Sequence, residues 1–138
     1  MASEETNVWW ASCQVGAEAI LQVKAQEVRL LTLHDETFKA RPRASKPDEA
    51  TMLSLCNYKN QSVLAIGGTI DNTCSNAVWR HDLAEDSWSE MPTLNVARSQ
   101  ASSCVIGHRA YVFGGCGSGD SYLNSIEYLK LSTGQEQS

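Results

Sequence analysis

Long apolar runs are missing from this sequence, and so is positive charge near its start. No stretch approaches the roughly 20 apolar residues that a membrane-spanning helix requires. Glu4 and Glu5 stand where a secretory signal would carry lysine or arginine. We therefore expect a cytoplasmic protein with no membrane contact.

Cysteine pairs at metal-binding spacing are also missing. The chain has five cysteines without a CxxC pair, and an odd count fits neither a disulfide framework nor a zinc ribbon. The histidines show no ligand spacing either, and His34 and His81 are predicted to lie near turns at the surface. We expect no metal and no cofactor.

An excess of positive charge is absent as well. The formal net charge is -5 and the pI is about 5.1, so nothing attracts a phosphate backbone over long range and we expect no nucleic-acid partner. Basic residues cluster only at Arg41, Arg43 and Lys46, where Pro42 and Pro47 interrupt them. We interpret this segment as a solvated loop.

Helical spacing is almost absent from residues 62–131. Short β-branched or aromatic runs alternate there with turn residues, which predicts an all-β fold. The clearest runs are 62–66, which ends at Gly67 and Gly68, and 109–113, which ends at Gly114 and Gly115. The two glycine pairs are 47 residues apart.

A repeat of nearly fifty residues extends beyond the glycines. A period of that length built from short strands is typical of a propeller blade, whose sheet buries its faces by stacking on neighbouring blades. Three landmarks recur after 48 residues: Asn76-Ala77-Val78 with Asn124-Ser125-Ile126, Leu83 with Leu131, and Cys56 with Cys104. A weaker upstream copy recurs after 50 residues: Val28, Leu33 and Phe38 with Val78, Leu83 and Trp88.

The details of the repeat resemble the kelch motif. They are the double glycine after an apolar strand, the string 124–128, Trp88 ten positions after Val78, and Met91-Pro92-x-Leu94-x-x-Ala97-Arg98-Ser99. The resemblance implies an incomplete kelch-type β-propeller of stacked four-stranded antiparallel blades. It places an inner strand at 101–106, a second strand at 109–113 and a third at 124–129, with Trp88 opening the outer strand of the preceding blade.

The repeat divides the chain into four parts. Residues 1–26 form an N-terminal segment that could hold strands or a helix, 27–61 a degenerate half-repeat with the basic loop, 62–108 a kelch repeat, and 109–138 a partial one. His81 stands where the kelch pattern has tyrosine, and Glu136 where it has the tryptophan of an outer strand. The final blade is therefore predicted to lack its outer strand.

The loops offer few candidates for a catalytic motif. The glycine-rich string 114–119 could cradle a phosphate, but such sites need a helix directly after the glycines, and a strand is predicted there. No G-x-S-x-G string exists, and no tyrosine and histidine set resembles the ligands of copper-dependent propeller oxidases. Cys74 and Cys116 stand in loops without neighbouring positive charge. We expect a protein without enzymatic activity.

The kelch resemblance implies that loops carry the function. The loops between second and third strands, and between an outer strand and the next inner strand, gather on one face in kelch proteins that bind other proteins. Arg98 could bind a partner carboxylate there or brace its neighbours. The candidate partner-binding residues are Asp71, Asn72, Thr73, Asn95, Arg98, Ser99, Ser118, Asp120 and Tyr122.

Three hypotheses about function follow. The leading one is a kelch-repeat interaction module or scaffold that binds a protein partner through its loops. The second is a fragment of a larger kelch propeller, such as a ubiquitin-ligase substrate receptor or an actin-associated protein, since closing a ring takes about four to eight blades. The third is a propeller enzyme. Open blade faces also predict self-association.

Overall fold

The computed structural model describes residues 9–131, and β-strands in antiparallel sheets build this part of the chain. A short 3-10 helix covers Ser118–Asp120. The prediction of an all-β fold is confirmed. The strands are β1 (Ala11–Gln14), β2 (Ala19–Lys24), β3 (Glu27–His34), β4 (Thr37–Pro42), β5 (Ser54–Tyr58), β6 (Ser62–Ile66), β7 (Thr69–Ile70), β8 (Thr73–Cys74), β9 (Val78–Asp82), β10 (Ser87–Met91), β11 (Ser102–Ile106), β12 (Arg109–Phe113) and β13 (Ile126–Lys130).

Three antiparallel sheets form the stacked blades that the kelch resemblance implied. Blade 1 has the order β1-β2-β3-β4, blade 2 the order β5-β6-β9-β10, and blade 3 the order β11-β12-β13. The small hairpin β7-β8 extends from the end of blade 2. The predicted absence of an outer strand in blade 3 concerns residues 132–138, which lie outside the described residues.

The strands of blade 3 lie within two residues of their predicted positions, and Trp88 is the second residue of β10. Within the N-terminal segment, the strand alternative applies, because β1 and β2 pair with each other there. The blades cover 11–42, 54–91 and 102–130. The boundaries drawn from the sequence at 26, 61 and 108 fall in turns inside blades, because they follow the repeat rather than the sheets.

Apolar side chains fill both junctions between blades. Between blades 2 and 3 the buried cluster includes Tyr58, Leu64, Ile66 and Val112. Between blades 1 and 2 a smaller cluster surrounds Leu21, Val23, Val28 and Val63, and Trp88 packs against it. The alternating burial along β5 reflects a strand whose two faces meet different surroundings.

The second glycine of each pair holds the blades close to their neighbouring loops. A Cβ added to Gly68 would lie 2.6 Å from the carbonyl oxygen of Thr51, and one added to Gly115 would lie 2.5 Å from that of Ser99. Both glycines have positive φ angles, of 107° and 90°. The positions therefore need glycine for space and for backbone conformation.

The basic segment after β4 is not a solvated loop throughout. Lys46 is fully buried between blades 1 and 2, where it pairs with Asp48, and Arg43 donates a hydrogen bond of 2.6 Å to the carbonyl of Leu83. The interpretation was wrong for Arg43 and Lys46 because the linker that carries them packs across blade 2. Arg43 and its partner Leu83 are 40 residues apart in the sequence. Of the three basic residues only Arg41, which lies within β4, is exposed.

His81 also departs from its predicted surface position. Its side chain is fully buried, and its ring lies 4.6 Å from the ring of Trp88, centroid to centroid. His81 Nε2 faces Arg43 and Asp86 at 3.4 and 3.7 Å. Burial, together with the Arg43 charge, holds the pKa of His81 below its usual range. The histidine that replaces the usual tyrosine is therefore a packing residue.

Candidate functional site

The loops predicted to carry the function meet at one end of the blades. Antiparallel pairing places the start of each inner strand beside the end of each second strand, as in the pairs Ala11 with Val23, Ser54 with Ile66, and Ser102 with Phe113. We call this end the loop rim. It comprises residues 9–10, 50–53, 67–77, 92–101 and 114–125.

The loop rim carries the predicted site residues. Asp71 and Asn72 form the turn of the β7-β8 hairpin with φ angles of 50° and 64°, which suits a tight hairpin of this residue type. Thr73 and Ser118 are exposed beside them, and Tyr122 is 87% exposed.

The remaining predicted residues occupy other settings on the rim. Asn95 is exposed, and its backbone N–H donates to Glu127 at 2.7 Å, whereas Ser99 is buried. Asp120 contributes its backbone to the 3-10 helix, and its side chain lies outside the described part of the structure. The structure thus brings the predicted loops together but does not present every predicted side chain to solvent.

Arg98 serves as a brace between blades 2 and 3. Its guanidinium group is buried, and Nη1 donates to the carbonyls of Gly114 and Ser125 at 3.0 and 3.1 Å. Nη2 donates to Ser125 Oγ at 3.0 Å and to the Glu127 carboxylate at 2.8 Å. Of the two roles left open by the sequence, the structure supports the bracing one, and we leave Arg98 out of the binding surface.

A polar groove of about 830 Å³ crosses the rim between blades 2 and 3. Its described lining contains hydroxyl, amide, thiol, thioether and backbone groups, and no charged side chain is found within that described lining. Cys74 and Cys116 are half-buried in it, and Cys74 Sγ lies 3.4 Å from the Cys116 carbonyl oxygen. The lining residues are Thr51, Met52, Thr69, Asn72, Thr73, Cys74, Ser99, Gln100, Cys116, Gly117, Ser118 and Gly119.

An apolar pocket of about 470 Å³ adjoins this groove. Thr51, Met52 and Gln100 line both cavities, and Trp9 and Trp10 form the far side of the pocket. The sequence reasoning missed these tryptophans as well as Met52 and Gln100. The 48-residue distance from Met52 to Gln100, which equals the distance from Cys56 to Cys104, was the signal that could have revealed them.

Catalytic or metal-binding clusters do not emerge from the described residues. Within residues 9–131, no group of three or more histidine, cysteine, aspartate or glutamate side chains is arranged to hold a metal ion. Burial raises the pKa values of Cys13 and Cys56 to about 11, which keeps both thiols protonated at neutral pH. Among the described residues, no helix has the length and apolar character needed to cross a membrane.

Comparison with known families decides what this stack of blades is. The kelch motif matches twice, over residues 56–95 and 97–135, which together make up more than half of the chain. The chain belongs to the kelch-repeat family. The two kelch matches include blades 2 and 3 together with most of the loop rim, whereas blade 1 precedes them.

Curated relatives resemble the kelch repeats of this chain. An F-box/kelch-repeat protein of Arabidopsis thaliana is 42% identical over 59 residues, which are 43% of this chain and 15% of the relative. Kelch repeat protein M-T9 of Myxoma virus (strain Lausanne) is 32% identical over 69 residues, or 50% of this chain and 14% of that protein. Human Kelch-like protein 4 is 42% identical over 53 residues, or 38% and 7%. The matches thus span less than a fifth of each relative.

A solved structure shares the fold of this kelch chain. The structure of YjhT aligns with a TM-score of 0.70 at 13% sequence identity, and the alignment covers 85% of this chain and 41% of YjhT. At this identity the likeness concerns the fold alone. Since it covers 85% of the chain, it extends beyond the two matched kelch motifs into the part of the chain that precedes them.

Proposed function

We propose that this chain is a non-enzymatic interaction module that binds a protein partner through its loop rim. The observation that supports the proposal is the polar groove with its adjoining apolar pocket. Surface sites on loops that rigid sheets position are common locations for recognition. The kelch relatives make a role in protein-protein interaction the general expectation.

The exposed groups of the rim suit recognition of another protein. Thr73, Ser118 and Tyr122 stand in solvent on two neighbouring loops. Hydroxyl groups can donate and accept hydrogen bonds, and tyrosine combines apolar area with a polar tip, which is why interfaces are enriched in it. The backbone below them is fixed by bridges from Ser99 to Cys116 and from Cys116 to Tyr122.

Affinity purification coupled to mass spectrometry tests the proposal. The wild-type chain is compared with a triple variant on the rim, Thr73→Ala, Ser118→Ala and Tyr122→Ala. A matched triple variant at the opposite end, Gln61→Ala, Glu85→Ala and Lys130→Ala, also changes three exposed residues. We expect the rim variant to lose a reproducible partner that the control keeps. Equal recovery by all three proteins would remove the loop rim from the interaction.

A second candidate function is self-association through the outward face of blade 3. Ile106 and Ile126 are 64% and 62% exposed on this face, and Phe113 and Tyr128 are also exposed. In blade 2 the corresponding positions include Tyr58, Ile66 and Val78, which are buried against blade 3. We propose that a second copy of the chain covers the exposed face.

Light scattering coupled to size-exclusion chromatography tests this second candidate. An Ile126→Ser, Tyr128→Ser double variant removes apolar area from the outward face, and a Phe38→Ser variant provides an exposed apolar control on blade 1. We expect the first variant alone to shift the chain toward monomer. A wild-type chain that stays monomeric at high concentration would refute self-association and leave the loop rim proposal intact.

The narrower roles named from the sequence stay proposals. A substrate receptor of a ubiquitin ligase is compatible with the F-box/kelch-repeat names of several relatives, but those names describe much longer proteins. The cytoplasmic location and the absence of nucleic-acid and membrane partners also stay predictions. We infer the general interaction role and leave the partner to the purification experiment.

A further inference from the structure

The apolar pocket is built from one repeated position. Strand pairing makes Ala11, Ser54 and Ser102 equivalent starting residues of the inner strands. The residues two positions earlier are Trp9, Met52 and Gln100, and all three line the pocket. The three blades thus place a tryptophan, a methionine and a glutamine at equivalent positions in one row.

The row leaves large apolar side chains in solvent. Trp9 is 85% exposed and Met52 is 52% exposed, and both line the pocket. Adjacent exposed apolar groups are unfavourable in water and often mark a binding surface. The methionine is also suited to contact an aromatic ring, because its thioether is flexible and polarizable.

The backbone holds this row in a fixed arrangement. Met52 and Gln100 both have positive φ angles, of 59° and 57°, which non-glycine residues adopt rarely. Gln100 N–H donates to the Met52 carbonyl at 2.9 Å, and its side-chain Nε2 lies 2.9 Å from Met52 Sδ. Strained backbone that the surrounding structure maintains is concentrated at functional sites.

The charge of the lining side chains determines which ligands could enter the apolar pocket and the polar groove. Among the side chains that the structure describes, none that lines the pocket or the adjoining groove is charged. Burying a ligand charge there would leave it without a lining partner, which costs free energy. The hydroxyl and amide groups of the groove, by contrast, can pair with an uncharged polar backbone.

We propose that the apolar pocket binds a large aromatic side chain of a partner's extended, uncharged peptide segment, whose backbone continues into the polar groove. The inference rests on the proposed function, because it assigns the kind of segment that the loop rim recognises. The pocket volume of about 470 Å³ accommodates an indole or phenyl ring with space to spare, and pockets of about 300–1,000 Å³ are typical of small-ligand sites.

NMR titration of the full, isotope-labelled chain tests this inference. The probe is acetyl-Ser-Trp-Ser-Gly-amide, and the comparison peptides replace its tryptophan by alanine or both of its serines by glutamate. We expect the probe to bind at least about tenfold more tightly than the alanine peptide and several-fold more tightly than the glutamate peptide. Chemical shift changes should centre on Trp9, Met52 and Gln100.

Two variants locate the binding. Trp9→Ala should weaken binding of the probe about tenfold, whereas Phe38→Ala, which removes an exposed ring from blade 1, should not change it. Equal affinity for the tryptophan and alanine peptides, or equal losses in the two variants, would overturn the inference. So would the absence of shift changes at millimolar probe.

The purification experiment distinguishes the two proposals. If the probe fails to bind while partner recovery still depends on Thr73, Ser118 and Tyr122, the rim binds a partner without an aromatic anchor and only this inference fails. If partner recovery is the same for the rim and control variants, the proposed function itself fails. Binding of the probe together with rim-dependent recovery supports both.

Discussion

The two junctions between blades are held together by different chemistry. Blades 2 and 3 meet through an apolar cluster, and one buried ion pair, Arg98 with Glu127, closes its rim end. Blades 1 and 2 have a smaller apolar cluster, and the linker after β4 adds polar contacts of Arg43 with His81 and Leu83 and of Lys46 with Asp48.

The difference follows from how the blades are connected. Blades 2 and 3 are consecutive kelch matches, so the junction uses positions that the repeat itself supplies. Blade 1 lies before the matched region, and its linker places side chains into the junction: Trp88 Nε1 donates to the Ala44 carbonyl at 2.9 Å, and Trp79 Nε1 donates to Asp48 at 2.9 Å. A repeat can therefore be joined to a divergent blade by contacts that lie outside the repeat pattern.

The largest expected effect comes from a substitution at the junction between blades 2 and 3. Glu127→Ala leaves the buried Arg98 guanidinium without its carboxylate and removes the acceptor of the Asn95 and Val96 backbone N–H groups. Removing one partner of a buried pair costs about 3–5 kcal/mol. Urea unfolding followed by circular dichroism measures the loss, with Glu85→Ala as an exposed control. A loss equal to that of the control would contradict the bracing role.

Substitution of two equivalent leucines allows the apolar parts of the two junctions to be compared. Leu21 and Leu64 occupy equivalent positions in β2 and β6, and both are fully buried. Each Leu→Ala change is expected to lower the free energy of unfolding by about 2–5 kcal/mol, because each leaves a cavity. If Leu21→Ala costs less than about 1 kcal/mol, blade 1 does not contribute a packed junction and the comparison fails.

Acid should weaken the junction between blades 1 and 2. His81 has a lowered pKa in the folded chain because of burial and Arg43, with Asp86 and Asp82 opposing the shift. Below the unfolded pKa of about 6.5 the unfolded chain binds the proton more readily. The His81 contribution to stability is therefore present above this pH, is lost as pH falls, and levels off below the folded pKa.

Unfolding free energies at several pH values, for wild type and His81→Gln, should show a shallower acid loss in the variant. An unchanged slope would assign the effect elsewhere.

The smallest expected effect concerns a feature that both junctions share. Cys13 and Cys56 are equivalent inner-strand residues, and burial raises both pKa values from 9.0 to about 11. At pH 8 their thiolate populations should be roughly a hundredfold lower than in the unfolded chain. Alkylation by iodoacetamide, followed by peptide mass spectrometry with and without urea, measures this protection. Rapid labelling of one cysteine in the folded chain would show that its junction opens.

The sequence predicted the parts of the fold that repeat. Gly68 and Gly115 make the same close contact, and β11 and β12 begin within one residue of where the kelch pattern placed them. The burial of Lys46 and His81 could not be predicted, because it depends on a linker that contacts blade 2 about 40 residues along the chain. Such long-range contacts have no periodicity of their own.

The same limit applies to the candidate site. Loop positions such as Thr73, Ser118 and Tyr122 follow from the repeat, and the structure places them on the loop rim. The apolar pocket required knowing that Trp9 and Met52 begin their blades in equivalent ways. The degenerate first repeat hid this equivalence, since it has no glycine pair to set the register.

The linker contacts also determine which part of the molecule tryptophan fluorescence reports on. Two of the chain's four tryptophans, Trp9 and Trp10, line the apolar pocket. The other two, Trp79 and Trp88, donate hydrogen bonds to the linker after β4. Blade 3 contains no tryptophan, and its Tyr111 and Tyr128 rings are tilted relative to each other with their centroids 5.7 Å apart. Indole emission is therefore an intrinsic optical signal for the first junction and for the apolar pocket, whereas blade 3 carries no indole.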